Sequence, residues 1–209
     1  MQHTEFDIND ELLAAIAEND GARVALLLAL GADRERRDAR GCTPLLFATQ
    51  QNQVAAARAL MEAGADVNAQ DDQLDNAYLY SGAEGYVEIL ELTLRHGADL
   101  TRTNRYGGTA LIPAGEYGHV RVTELLLEAG VDPDHVNKLG WTALQEAVLL
   151  GADDDRHRET VRLLLEGGAD PNLPDFEGRT PLANAEARGF TGLAMLIEAA
   201  GGHQAAPGA

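Results

Sequence analysis

A single cysteine, Cys42, stands in a chain of 209 residues. That excludes an intrachain disulfide framework and a cysteine-ligated zinc cluster, leaving a nucleophilic thiol as the one cysteine chemistry open. No apolar run approaches the roughly 18 residues of a membrane span, and the N-terminal MQHTEFDINDELL lacks the positive patch and apolar stretch of a secretory leader. The expectation is a soluble, cytoplasmic protein without a membrane segment. Positive charge is also scarce. Thirty-four Asp and Glu against sixteen Lys and Arg give a net charge of −18, which repels a phosphate backbone. Nucleic acids and anionic membranes are therefore not expected as partners. Solubility is the plain reason for such a charge, and attraction of a basic protein or cation is the more specific one.

Enzyme signatures are missing as well. There is no GxxxxGK[ST], no glycine-rich dinucleotide turn after a strand, no HExxH and no GxSxG. The six histidines (His3, His96, His119, His135, His157 and His203) are scattered along the chain. The run Asp153, Asp154, Asp155 with nearby His157 lacks the alternating spacing of a calcium loop, so an exposed insertion is expected there and no metal.

What the chain has is a repeat. GAD at 31, 64 and 97, GVD at 130 and GAD at 168 recur at intervals of 33, 33, 33 and 38. Twenty-one residues before each of the first four glycines stand Asp10, Thr43, Asn76 and Thr109, and Thr142 and Thr180 continue the series. All are good helix N-caps, and proline follows two of them, at Pro44 and Pro181, where a first helical position accepts it. Two residues past the cap comes a large side chain: Leu12, Leu45, Tyr78, Leu111, Leu144 or Leu182. Five past it comes a small one: Ala15, Ala48, Ser81, Ala114, Ala147 or Ala185. This pattern predicts a closely packing stripe on one helix face. A second apolar helix follows in each unit, as in VALLLAL, VEILELTL or VTELLLEA, and closes on a glycine suited to the left-handed conformation. Short helix pairs cannot bury their faces alone, so the fold expected is an all-α solenoid of helix-turn-helix repeats. Their bounds are about 5–37, 38–70, 71–103, 104–136, 137–174 and 175–203, within a domain of 1–203, and residues 204–209 are expected to form a disordered tail. The fifth repeat is five residues longer, within LLGADDDRHRET, and a solvated loop that tolerates deletion is expected there.

The motifs CTPLLFA, GTALIPA, WTALQEA and RTPLANA, with GHV at 118, GADVNAQD and GADPNLPD, resemble the ankyrin repeats. More narrowly, LDNAYLYSGAEGYVEIL, NRYGGTALIPAGEYGHV and NKLGWTALQEAVLLG resemble small stand-alone bacterial proteins of that family. The family's frequent histidine three residues past the cap is replaced here by Leu13, Leu46, Leu79, Ile112, Gln145 and Ala183. The resemblance implies a non-catalytic module, monomeric and without cofactor. It would bind a protein or peptide partner, with a basic one favoured by the charge, through loop tips and the inward face of the first helices.

At the tips, Arg105, Tyr106, Trp141, Phe176 and Arg179 are the residue types that dominate interfaces. Each aromatic either packs on the neighbouring loop or meets a partner. On the inward face, the position four past the cap reads Ala14, Phe47, Tyr80, Pro113, Glu146 and Asn184. Pro113 lacks an amide, so a late helix start and an unpaired Thr109 carbonyl are expected. A buried Glu146 needs a partner or a proton. Together these predict a small polar pocket ringed by Tyr78, Tyr80, Arg105, Tyr106, Glu116, Tyr117, Trp141 and Glu146, unless the same groups satisfy one another. The alternative function is a small-molecule binder or unusual hydrolase using Glu116 or Glu146 as acid or base in a polar pocket around the two.

Overall fold

The computed structural model describes residues 7–204, and among them the chain forms twelve α-helices and no strand. The first helix of each pair is α1 (Ile8–Ala17), α3 (Pro44–Gln50), α5 (Ala77–Glu84), α7 (Leu111–Tyr117), α9 (Ala143–Leu149) or α11 (Pro181–Ala187). The second is α2 (Gly21–Ala29), α4 (Val54–Glu62), α6 (Val87–Arg95), α8 (Val120–Glu128), α10 (Asp155–Glu166) or α12 (Thr191–Ala199). No helix of the described residues is long and apolar enough to cross a membrane. Two compact units result: one runs to Ser81 and takes in Glu88–Asp99, and the other holds Gly82–Val87 and everything described from Leu100 onward.

The caps work as their chemistry dictates. The side chains of Thr43, Asn76, Thr142 and Thr180 accept from the amides of Leu46, Leu79, Gln145 and Ala183 at 3.2, 2.8, 3.2 and 3.3 Å. Their carbonyls accept from the amides of Phe47, Tyr80, Glu146 and Asn184, one residue further on, at 2.9 to 3.0 Å. The first helix differs from expectation: it starts three residues early, capped by Asp7, whose Oδ1 accepts from Asn9 N at 2.8 Å, and Asp10 lies within its first turn.

The two predicted stripes form the core. Leu12, Leu45, Tyr78, Leu111 and Leu144 are almost wholly buried, as are all six small residues from Ala15 to Ala185. Each leucine so buried stabilises the fold by about 1.5–3 kcal/mol. Close approach sets the helix spacing: a Cβ on Gly115 of α7 would stand 2.5 Å from the Ala143 carbonyl oxygen of α9, so backbone touches backbone there. The second helices close on Gly31, Gly64, Gly97, Gly130, Gly168 and Gly201, all at φ between 83° and 100°.

Between the helix pairs run tight loops organised by one side chain each. Asp38, Asp71, Asn104, Asn137 and Asp175 stand five residues before their caps. The Oδ1 of each accepts from the amides two and four residues on, at 2.7 to 3.1 Å. A left-handed residue completes the turn: Gly41, Gly107, Gly140 and Gly178, but Leu74 (φ 60°) in the loop that begins at Asp71.

The longer fifth repeat departs from the expected solvated loop. Its extra residues lengthen α10 to 12 residues, against nine in each of the other second helices. Asp154 caps α10, its Oδ1 accepting from His157 N at 2.9 Å. Asp153 caps α12 from outside, accepting from Gly192 N and Leu193 N at 2.9 and 3.2 Å and from Arg158 Nε at 2.8 Å. His157 is buried, one ring nitrogen 2.7 Å from Asp154 Oδ1 and the other 3.0 Å from the Glu116 carbonyl. The extra carboxylates are helix caps, and among the described residues no group of three such side chains is placed to hold a metal. At the C-terminal end His203 is tied down, its amide 2.9 Å from Asn172 Oδ1 and its carbonyl accepting from Thr180 Oγ1 at 2.8 Å. Gln204 reaches Glu186, and the rest of the expected tail lies outside the described residues.

Candidate functional site

Pro113 reshapes the start of α7. In the other repeats the amide at this position fills the cap residue's carbonyl; without it, Ile112 N–H turns to the Thr109 carbonyl at 3.3 Å, a tighter turn. The helix begins at Leu111, two residues past Thr109 and not one, as the late start expected. The expected unpaired carbonyl is corrected: that carbonyl is filled. What is left over is the Thr109 hydroxyl, buried and without a hydrogen-bond partner among the described residues, because the amide that would use it has been diverted.

Glu146, in the first turn of α9, is only 6% exposed. Its Oε1 accepts from Asn137 Nδ2 at 2.7 Å, while Asn137 Oδ1 holds the Leu139 and Trp141 amides at 2.9 and 3.1 Å. One asparagine therefore joins the carboxylate to the loop that carries Leu139 and Trp141. Burial first, then the charge of Glu116, push the Glu146 carboxyl up to about 7 against the pull of Asn137. The next repeat repeats the device: Asn184 Nδ2 donates to Asp175 Oδ2 at 2.9 Å and to Gln145 Oε1 at 3.0 Å. Gln145 stands where the family has histidine and also bonds the carbonyls of Leu173 and Arg179 at 3.2 and 3.0 Å.

Glu116 is half-buried, and burial raises its pKa, partly offset by Tyr117. The exposed Tyr117 hydroxyl is itself pushed up, chiefly by the charge of Glu116, then by burial, Glu84 and Glu146. Three carboxylates thus bear on one tyrosine, and among the described residues no Lys or Arg forms an ion pair with any of them.

At the tips, Arg105 donates from Nη2 to the Tyr106 hydroxyl at 2.8 Å and lies 4.7 Å over the Tyr106 ring, a cation–π contact. Lys138 Nζ donates to the Arg105 carbonyl at 2.9 Å. Tyr106 is 52% exposed, Leu139 51% and Phe176 76%. Phe176 lies across Gly140, where any Cβ would strike the ring, so it packs on the preceding loop and still offers its outer side. Trp141 is half-buried, and the exposed Arg179 is 3.5 Å from Glu177. Between these loops and the end of α9 opens a cleft of about 330 Å³, lined by Leu139, Trp141, Leu149 and Phe176 and by the polar Asp175, Glu177, Arg179 and Asn184. The second unit thus brings together Arg105 with Tyr106, Glu116 with Tyr117, Glu146 with Trp141, and Phe176 with Arg179.

The other two residues of the expected ring belong to the first unit. Tyr78 is fully buried at a core position filled by leucine in most repeats, and its hydroxyl, raised by burial, has no partner among the described residues. Tyr80 is half-buried. The sequence reading missed the loop-ordering Asp and Asn residues, although their recurrence five before each cap was there to be read. It also missed a cleft of about 260 Å³ in the first unit, lined by Leu12, Leu13, Arg36, Cys42, Pro44 and Phe47 among others. Burial, with Asp38 and Asp71 nearby, pushes the Cys42 thiol up to about 11, which leaves it unreactive at neutral pH.

Capped helix pairs joined by Asp- or Asn-ordered loops, with exposed aromatic tips, define a scaffold of stacked helical repeats. The sequence profile of ankyrin repeats (3 copies) matches residues 3–71 and 77–175, and the chain belongs to this family, with the all-α ankyrin-repeat solenoid as its fold. It is similar to the crystal structure of an ankyrin-repeat domain from Acinetobacter baumannii, with 49% identity over 92% of this chain and 98% of that one and a TM-score of 0.88. A second ankyrin-repeat protein of known structure shares 40% identity over 93% of this chain and 98% of its own, with a TM-score of 0.86. The ankyrin-repeat domain of Bcl-3, a member of the IkappaB protein family, shares 28% over 92% and 86%, with a TM-score of 0.83. No curated protein matches the chain.

Proposed function

We propose that the chain is a non-catalytic interaction module that holds a protein or peptide against the loop tips of its second unit and the adjoining faces of α7 and α9. Ankyrin repeats generally mediate protein–protein interaction, which supports the class. The observation that carries the site is the exposure of Tyr106, Leu139 and Phe176 at the tips of three successive loops, with Trp141 and Arg179 among them. Large apolar side chains left in water on rigid loops are the usual anchors of an interface. Affinity capture from a lysate tests this. The wild-type chain should retain a stoichiometric protein, and a Tyr106→Ser/Leu139→Ser/Phe176→Ser variant should lose it by tenfold or more while keeping its helical far-ultraviolet spectrum. Equal capture by both would remove the tips from the site.

The acid–base alternative draws on Glu146, whose carboxyl is pushed up to about 7 by burial and by the charge of Glu116. Burial and the bond from Asn137 turn that carboxylate toward its own loop, which favours a structural or binding role over proton transfer. Retention of a metabolite with no protein partner, abolished by Glu146→Gln, would reverse the preference.

A further inference from the structure

The cleft of the second unit, where Arg179 is already matched by Glu177 and four large apolar side chains form the rest of the wall with Asp175 and Asn184, lies one helical turn from carboxylates that lack a counter-charge. Leu149, on the cleft wall, is three residues beyond Glu146 on α9, so the two share a helix face about 5–6 Å apart. Helix α7 packs against α9 and brings Glu116 within reach of Glu146. Three features bear on what could occupy the cleft. The exposed edges of Leu139 and Phe176 ask for an apolar side chain. Glu84, Glu116 and Glu146 have no ion-pair partner among the described residues and all bear on Tyr117, so an arriving cation would supply the missing charge. An acidic segment would meet those carboxylates and the net charge of −18, and a purely apolar one would strip water from Glu116 without compensation.

From this complementarity we infer that the second unit binds a basic peptide segment in extended form, which seats one large apolar side chain in the cleft between Leu139, Trp141, Leu149 and Phe176 and directs a nearby lysine or arginine to Glu116 and Glu146. The inference rests on the reading that the second unit is the binding surface and adds the chemistry of the partner. Glu116, half-buried on α7, receives the cation directly; Glu146, buried on α9 one turn from the cleft-lining Leu149, strengthens the local field. Tyr117 offers its ring and hydroxyl beside them.

A random peptide display library selected on the immobilised full-length chain tests it. Wild type should enrich peptides that pair an aromatic or large aliphatic residue with a lysine or arginine a few positions away. Glu116→Gln/Glu146→Gln should still enrich the apolar residue but lose the basic preference at least fivefold. That variant changes the net charge of −18 by only two, so a general attraction of cations to an acidic protein would survive it. Glutamine at 146 can still accept from Asn137, so the fold is retained, as a melting curve would confirm. Leu139→Ser/Phe176→Ser should lose the apolar preference. Peptides without basic residues, or a basic preference unchanged in the double glutamine variant, overturns this inference and leaves the binding reading in place. Failure of the wild-type chain to enrich any peptide that Leu139→Ser/Phe176→Ser loses overturns both.

Discussion

Glu146 ties stability to pH in the direction opposite to most carboxylates. Its folded pKa, about 7, is raised above the ordinary 4.5, so between these values the folded chain binds more protons than the unfolded one. Its contribution therefore falls as pH rises through that window, and the full penalty stands above about pH 7. Glu146→Gln should be more stable than wild type at pH 8 by up to about 3 kcal/mol and equal to it near pH 4, as read from paired denaturant curves. A constant difference across that range would mean that the carboxyl titrates normally. Pro113→Leu supplies the amide that Thr109 lacks and frees Ile112 N–H for the Thr109 hydroxyl. We expect about 1 kcal/mol of added stability, net of the entropy that proline removes from the unfolded chain, or a melting point some 2–4 °C higher. An unchanged melting point would mean that the strained start costs nothing. The sequence showed that Pro113 breaks a rule of its column, because a missing amide is written in the residue itself. Which atom would be left over was not written there. That depended on Ile112 choosing between two acceptors on one threonine, a choice made by backbone geometry.

Helix length and capping decide how much of the chain was readable as elements. The 33-residue period, the threonine caps and the closing glycines follow from local rules, and the helices fall where those rules put them. The first helix did not, because Asp7 and Asp10 both qualify as caps and only tertiary context separates them. The fifth-repeat insertion was misjudged for a related reason: three aspartates in a row read as solvated, but two of them cap helices, one of those in the next repeat. Removal of residues 151–155 takes away Asp153 and Asp154 together. Two caps at about 1–2 kcal/mol each predict a loss of roughly 2–4 kcal/mol and a melting point lower by several degrees. A deletion variant as stable as wild type would show that neither cap matters. The aromatic tips were legible as residue types, whereas the bond from Asn137 to Glu146 was not, since it joins two polar residues through a loop whose shape the period alone does not give.

For the molecule as a whole, the excess of negative charge acts over distances beyond any single ion pair. Screening shortens the range of that repulsion from roughly 30 Å at 0.01 M salt to about 3 Å at 1 M. Net self-repulsion at −18 should therefore make the melting point rise with sodium chloride, and a fall would mean that surface pairs such as Arg162 with Glu159 and Glu166 outweigh it. Another property of the whole chain lies in how the first helices are finished. The last carbonyls of α1, α7 and α9 are met by side chains from further along the chain: Gln53 to Ala17, His157 to Glu116, and Arg188 to Leu149. His119 does the same for Ala83 in α5. On a ribosome, which releases the chain from its N-terminal end, each of these four helix pairs emerges with an open carbonyl at the end of its first helix, and it closes only when the following stretch appears. In these four pairs completion therefore travels in the direction of synthesis, one repeat behind the growing end, and a chain halted just after one of them would display that pair unfinished to the chaperones around it.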